Sequence, residues 1–148
     1  MELGMESTKD ETLRLINRGH DHACSMQAAM ELSSRGITTG AHIILGLPGE
    51  DEGDYISHAE RISELPISTL KLHHLQVVKG TELAVMYAEH PETFKLFTPE
   101  GYAAAARTFL EHMREGIAVD RLVSETPGNL IIAPKWNLKP SEFQKLYF

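Results

Sequence analysis

The run Ala41-His42-Ile43-Ile44-Leu45-Gly46-Leu47-Pro48-Gly49-Glu50 constrains the fold more than any other stretch of the chain. A short apolar run rich in isoleucine, halted by a glycine-proline-glycine turn and followed by a helical pattern, reads as a buried parallel strand feeding a crossover helix. Loops leaving the carboxyl ends of parallel strands build the ligand site in α/β folds, because backbone groups are free there and helix N-termini point inward. Gly46 and Gly49 allow the backbone to approach a flat ligand, and Pro48 stiffens the turn. A strand-to-helix turn with no ligand is the alternative reading of this stretch alone.

The flanking sequence supplies further units of the same kind. Before the central run, Glu2 to Ser7 alternates with period two, which sets Leu3 and Met5 on one face and Glu2, Gly4 and Glu6 on the other. Thr8 and Glu11 make a capping-box pattern that opens a short helix through Leu13 and Ile16. Asp21 starts a second helix, with Met26, Ala29, Met30 and Ser33 at helical spacing as its core stripe, and Gly36 stops it. After the turn, Asp51, Glu52 and Asp54 lie in the first turn of a helix whose Tyr55, Ala59 and Ile62 face inward. Residues 69–78 read as the next strand, with Leu70, Leu72 and His74 on one face and Lys71, His73 and Leu75 on the other.

A short helix is expected around Leu83, Met86 and Tyr87. Thr98-Pro99-Glu100 is a capped start for the cleanest amphipathic helix, carrying Tyr102, Ala105, Ala106, Phe109, Leu110 and Met113. Residues 117–123 read as a last strand, 130–133 as a short apolar segment and 135–148 as a mildly basic tail. Strands near Glu2, Ala41 and Thr69, each followed by helix, are βαβ units with parallel strands, and three are too few to close a barrel. The expectation is an α/β fragment, the C-terminal part of a longer barrel enzyme.

Composition narrows the function. With a formal charge of −7, the chain is a poor candidate for wrapping nucleic acid unaided. Cys24 is the only cysteine, so no disulfide framework, cysteine zinc site or iron–sulfur cluster can be assembled from these residues, and no metal site is expected. No apolar run approaches the roughly 20 residues of a membrane span, so a cytoplasmic protein without a membrane partner is expected.

Three blocks carry a family resemblance: Glu2-Leu3-Gly4-Met5-Glu6-Ser7, Glu11-Thr12-Leu13-Arg14-Leu15-Ile16-Asn17-Arg18-Gly19-His20, and His42 through Glu50. In that order and spacing they resemble the radical SAM superfamily, and more narrowly the YhcC-type (YtqA-like) proteins related to the radical SAM domain of the Elongator catalytic subunit. Lys71-Leu72-His73, Lys79-Gly80-Thr81 and Leu130-Ile131-Ile132-Ala133-Pro134-Lys135-Trp136 extend the similarity nearly to the C-terminus. The resemblance implies a partial (βα)6 TIM-type barrel with parallel strands and outer helices, of which residues 1–125 would be the C-terminal half and 126–148 an extension. It implies a parent enzyme in which a [4Fe-4S] cluster cleaves S-adenosylmethionine reductively to a 5′-deoxyadenosyl radical. The CxxxCxxC loop that binds the cluster would precede Met1, so this chain alone is expected to be inactive.

Carried over residue by residue, the resemblance places the ribose contact on Glu6, with Ser7 beside it. A carboxylate accepting from two vicinal hydroxyls suits that role. The adenine-packing positions fall on Ile44 and Gly46, with His42 where glycine is more usual, and the backbone contacts to adenine fall around Leu75 and Gln76. If Ile44 faces the barrel lumen, period-two alternation brings His42 there, with Glu2, Glu6, Lys71 and His73 as companions. His42, Lys71 and His73 are then the candidate catalytic groups, able to fix a polar substrate or relay a proton. A hydrogen-bonded polar barrel interior is the alternative.

Similarity to the Elongator relative points to a modified wobble uridine in tRNA as target. Rival readings are a non-iron TIM-type barrel enzyme, and a non-catalytic module docking tRNA or a protein through Lys135, Lys139 and Lys145. A sheet cut at Glu2 to Ser7 would expose an unpaired edge and uncover the lumen beside Ile44 and Leu75, so the fragment is expected to form a homo-oligomer.

Overall fold

The computed structural model describes residues 1–148. In chain order the elements are β1 (Glu2–Glu6), α1 (Asp10–Leu15), α2 (His22–Ser34), β2 (Gly40–Leu45), α3 (Glu52–Ser63) and β3 (Thr69–His74). They continue with β4 (Val77–Val78), α4 (Glu82–Glu89), α5 (Pro99–Glu111), β5 (Ala118–Arg121), β6 (Ile131–Ala133) and α6 (Pro140–Tyr147). The main sheet has the order β1-β2-β3-β5 with every neighbouring pair parallel, as the βαβ pattern requires.

The strand expected over 69–78 is broken. The amide of Leu75 still donates to Leu45 O at 2.9 Å, but the amide of Lys79 donates to Leu130 O, also at 2.9 Å. Between those two bonds the ladder changes partner, and β4 pairs antiparallel with β6 in a separate two-stranded sheet.

Ala41, Ile43, Leu45, Leu70 and Leu72 point to one side of the sheet and are fully buried with Tyr55, Ala59 and Ile62 of α3 and Tyr102, Ala106 and Phe109 of α5. Each large apolar side chain removed from water in this layer contributes about 1.5–3 kcal/mol. Both helices start where the sequence pattern puts them. Asp51 and Asp54 form a reciprocal capping box on α3, and the Thr98 hydroxyl accepts from the Gly101 amide at 3.1 Å.

Three local expectations are corrected. Thr8 does not cap α1: Lys9 holds that position without a side-chain bond, and the Thr8 hydroxyl instead pairs with His58 Nδ1 at 2.7 Å. A histidine only 1% exposed needs a partner more than a short surface helix needs a cap. Asp21 does cap α2, accepting from the Cys24 amide at 2.8 Å, but the core stripe of α2 is Ser25 and Ala29. Met26 and Met30 are 38% and 57% exposed, because the helix lies close to the sheet through its small residues. Leu75 is not uncovered: it is 4% exposed within a second apolar cluster with Leu47, Val77 and Phe94, which α4 closes through Leu83 and Met86.

The 135–148 stretch folds back onto the domain. Phe143 is 1% exposed within the main core, and Trp136 Nε1 donates to Phe97 O at 2.8 Å. No helix is long and apolar enough to cross a membrane.

Candidate functional site at the carboxyl ends of the strands

Parallel register aligns Gly4, His42, Lys71 and Arg121 in one row across the four strands, with Ile44 beside His73 one step further along. Strand alternation turns this row away from the apolar core. The sheet therefore has an apolar outer face under its helices and a polar inner face.

On the inner face Glu2 contacts two of the candidate catalytic groups, His42 Nε2 at 3.1 Å and the Lys71 ammonium. The Lys71 hydrogen bond holds the Glu2 carboxyl below its ordinary range. The His42 and His73 rings lie 5.5 Å apart at 54°. Burial pushes His73 down to about 4, with the neighbouring His42, Arg121 and Lys71 acting in the same direction, so its imidazole is neutral at pH 7. The structure thus brings His42, Lys71 and His73 into one constellation around Glu2.

Ile44, His73, Leu75 and Gln76 line a cavity of about 310 Å³ at the ends of β2 and β3, with Arg121 and Ser124 opposite. Gln76 Oε1 is buried with no hydrogen-bond partner. An acceptor left unpaired beside an apolar wall is a feature that a flat ligand with an N–H donor would satisfy. Gly46 sits next to this wall with φ +90°, and a Cβ there would stand 2.9 Å from the Phe97 ring and 3.7 Å from Leu75 Cβ. Only glycine meets both demands.

Glu6 follows a bulge in β1 and adopts φ +64°, which turns its carboxylate beside Arg18 at 3.6 Å. Arg18 also donates to Gly4 O at 2.7 Å and so holds the bulge from outside the sheet. Ser7 does not reach the groove. It is 1% exposed, and its hydroxyl donates to Glu50 Oε1 at 2.5 Å.

Ser7 belongs to a buried polar knot that the sequence reading missed. Glu50 Oε1 lies 3.1 Å from His58 Nε2, a contact without hydrogen-bond alignment, and both side chains are no more than 1% exposed. Lys9 adds a bond to Asp54 at 2.9 Å and one to Gly49 O at 3.3 Å, and Arg61 donates to Thr8 O at 2.5 Å. The knot straps the loop after β1 to the turn after β2 and fixes the two loops that carry Glu6 and Gly46. One sequence signal was available: His58 interrupts the Tyr55, Ala59, Ile62 stripe at helical spacing, where an inward polar group must find a partner.

Cys24 is exposed on α2, away from this groove, and no three His, Cys, Asp or Glu side chains are arranged around a metal-sized space. A single exposed cysteine does not fit a [4Fe-4S] cluster, which needs several thiolates.

A polar inner face, helices on the outer face and a cavity at the strand ends are the parts of a parallel α/β fold. Residues 67–146 match the radical SAM C-terminal domain, and the chain belongs to that family. It is 34% identical over 139 residues to the uncharacterized protein MJ0486 of Methanocaldococcus jannaschii, covering 93% of this chain and 42% of the relative. It is 32% identical over 137 residues to the protein YhcC of Escherichia coli K12, covering 92% and 43%. The chain spans less than half the length of these relatives. The solved structure of archaeal Methanocaldococcus infernus Elp3 with an N-terminal deletion superposes with a TM-score of 0.85 at 23% identity, over 99% of this chain and 34% of that one. This likeness establishes the fold expected from the sequence, the C-terminal half of a partial TIM-type barrel with parallel strands and outer helices.

Proposed function

We propose that this chain is the adenosine-cradling part of a cytoplasmic radical SAM enzyme. Family membership supports the class, and the unpaired Gln76 Oε1 beside Ile44 and Leu75 is the observation that supports this role for these residues. S-adenosylmethionine held by these residues would supply one-electron radical chemistry, the electron coming from the iron–sulfur cluster of the full-length parent. The residues of this chain bind and orient. Glu6 accepts from the ribose hydroxyls, Ile44 and the backbone at Leu75 pack on adenine, and Gln76 Oε1 accepts its amino group. Gly46 keeps the Phe97 ring against that wall, and Ser7 acts from beneath through Glu50.

Glu2, His42, Lys71 and His73 then face the reacting centre from the inner wall. Lys71 offers an ammonium positioned by Glu2, and neutral His73 can hold or pass a proton. Resemblance to the Elongator subunit supports a wobble uridine of tRNA as the substrate. The cluster and the methionyl amine are assigned to a segment outside these residues, and the isolated chain is expected to be inactive and to pair with a second copy along the free edge of β1.

Equilibrium dialysis of S-adenosylmethionine against the reconstituted full-length parent tests this reading. Glu6→Ala and Gln76→Leu should each weaken binding by about 1–2 kcal/mol, the scale of one lost hydrogen bond in a buried site. Unchanged affinity in both variants would remove the assignment.

A further inference from the structure

The cavity of about 310 Å³ at the strand ends has a neighbour of about 680 Å³, which lies against the folded-back C-terminal segment beside Trp136 and Phe143. The two share a floor, His74 and Gln76, and a wall, Ser124 to Thr126. Where wall and floor meet, the Ser124 hydroxyl donates to His74 O at 2.9 Å. The wall belongs to a short segment held firmly only at its ends. Before it, Val123 is 5% exposed in the main core, and the hydroxyl of the buried Tyr102 donates to Leu122 O at 2.6 Å. After it, Leu130 O accepts the Lys79 amide at 2.9 Å and β6 begins. In between, no backbone N–H of residues 124–129 donates a hydrogen bond, no side chain is buried, and Glu125, Pro127, Gly128 and Asn129 are exposed. The second tie is the Arg121–Glu125 ion pair at 3.1 Å, between side chains 34% and 49% exposed. A segment without buried apolar side chains or backbone bonds opens at low free energy, and an ion pair this exposed holds it weakly.

We propose that residues 124–129 form a strap that lifts off His74, with Val123 and Leu130 as its fixed ends, and so joins the two cavities into one groove running from Ile44 to Trp136. The Ser124–His74 bond and the Arg121–Glu125 pair are the two catches that set how often it lifts. With the strap down, the smaller cavity is walled off; with it raised, a ligand longer than that cavity can enter from the Trp136 side. The motion depends on these ties and not on which ligand the smaller cavity holds.

Thermolysin cleavage of the 148-residue chain at Asn129–Leu130, followed by mass spectrometry, reads the lifting. Acrylamide quenching of Trp136, the only tryptophan, reads the opening of the larger cavity. Glu125→Gln and Ser124→Ala should each raise the cleavage rate about two- to fivefold, the scale of one exposed ion pair or one hydrogen bond, and the double variant should exceed both. Quenching should rise in the same order. The swap Arg121→Glu/Glu125→Arg should return both readings toward those of the unaltered chain. Cleavage at Ala84–Val85 on α4, where Val85 is 58% exposed, is the reference for general loosening and should not change. Unchanged cleavage at Asn129–Leu130 in both single variants, an equal rise at Ala84–Val85, a swapped pair that cleaves as fast as Glu125→Gln, or faster cleavage with unchanged quenching overturns the proposal.

Discussion

Replacing Glu50 tests whether the buried knot holds the two loops. In Glu50→Ala the Ser7 hydroxyl loses its 2.5 Å partner, and the imidazole of His58, 1% exposed, loses the carboxylate 3.1 Å away. The Ser7 hydroxyl stranded in this way costs about 1–3 kcal/mol, whereas His58 keeps its bond to Thr8, so the variant should lose about 2 kcal/mol. That is a sizeable share of the roughly 5–15 kcal/mol available to a domain of ordinary stability. Glu50→Gln is the informative contrast. Its amide oxygen still accepts from Ser7, and the charge it removes had one oxygen, Oε2, with no partner, so stability should change by less than about 1 kcal/mol. Urea unfolding at pH 7, with His58→Ala and the double variant completing a cycle, measures both quantities and the coupling. An Ala variant within about 1 kcal/mol of the parent, or a Gln variant as damaged as the Ala one, would show that the knot does not tie the loops.

Three further outcomes are expected. Phe143→Ala should cost about 3–5 kcal/mol in the same assay, because a fully buried ring of the main core is removed; a loss below about 1 kcal/mol would mean α6 is not integral to the domain. Burial holds His74 at about 3 and His73 at about 4 in the folded chain. Below an unfolded value near 6.5 the unfolded state binds the extra protons, so stability should fall as pH drops from about 6.5 toward 4, and His74→Phe should flatten that slope in urea midpoints taken at several pH values. Light scattering of the isolated chain should show a dimer or larger species; a monomer at high micromolar concentration would rule out edge pairing.

The parallel strands, the inner and outer faces and the capped helices α3 and α5 were all legible in the sequence, because period-two and helical alternation act locally and α3 and α5 each bury a broad apolar stripe. The grouping of Glu2, His42, Lys71 and His73 followed from the same parity once the strands were taken as parallel. What was not legible depends on contacts between distant residues. Val77 leaves the main sheet only because residues 131–133 offer a new partner, and Thr8 abandons its helix only because His58 is buried beside it. The Met26 and Met30 stripe failed because apolar spacing does not say which side of a helix lies nearest the sheet, and Ser25 and Ala29 pack closer. Phe143 was hidden among charged and polar neighbours in a stretch whose composition alone suggested a tail.

The division of the sheet into an apolar outer face and a polar inner face also bears on how such barrels can be assembled. The apolar packing of this chain is one continuous cluster in which α3 and α5 lie together over β2 and β3, all on the outer face. The seam along β1 is bordered by backbone and by solvated groups such as Glu2 and Arg18 rather than by interlocked side chains. Joining or parting two barrel segments there exchanges hydrogen bonds with water and opens no cavity in the core.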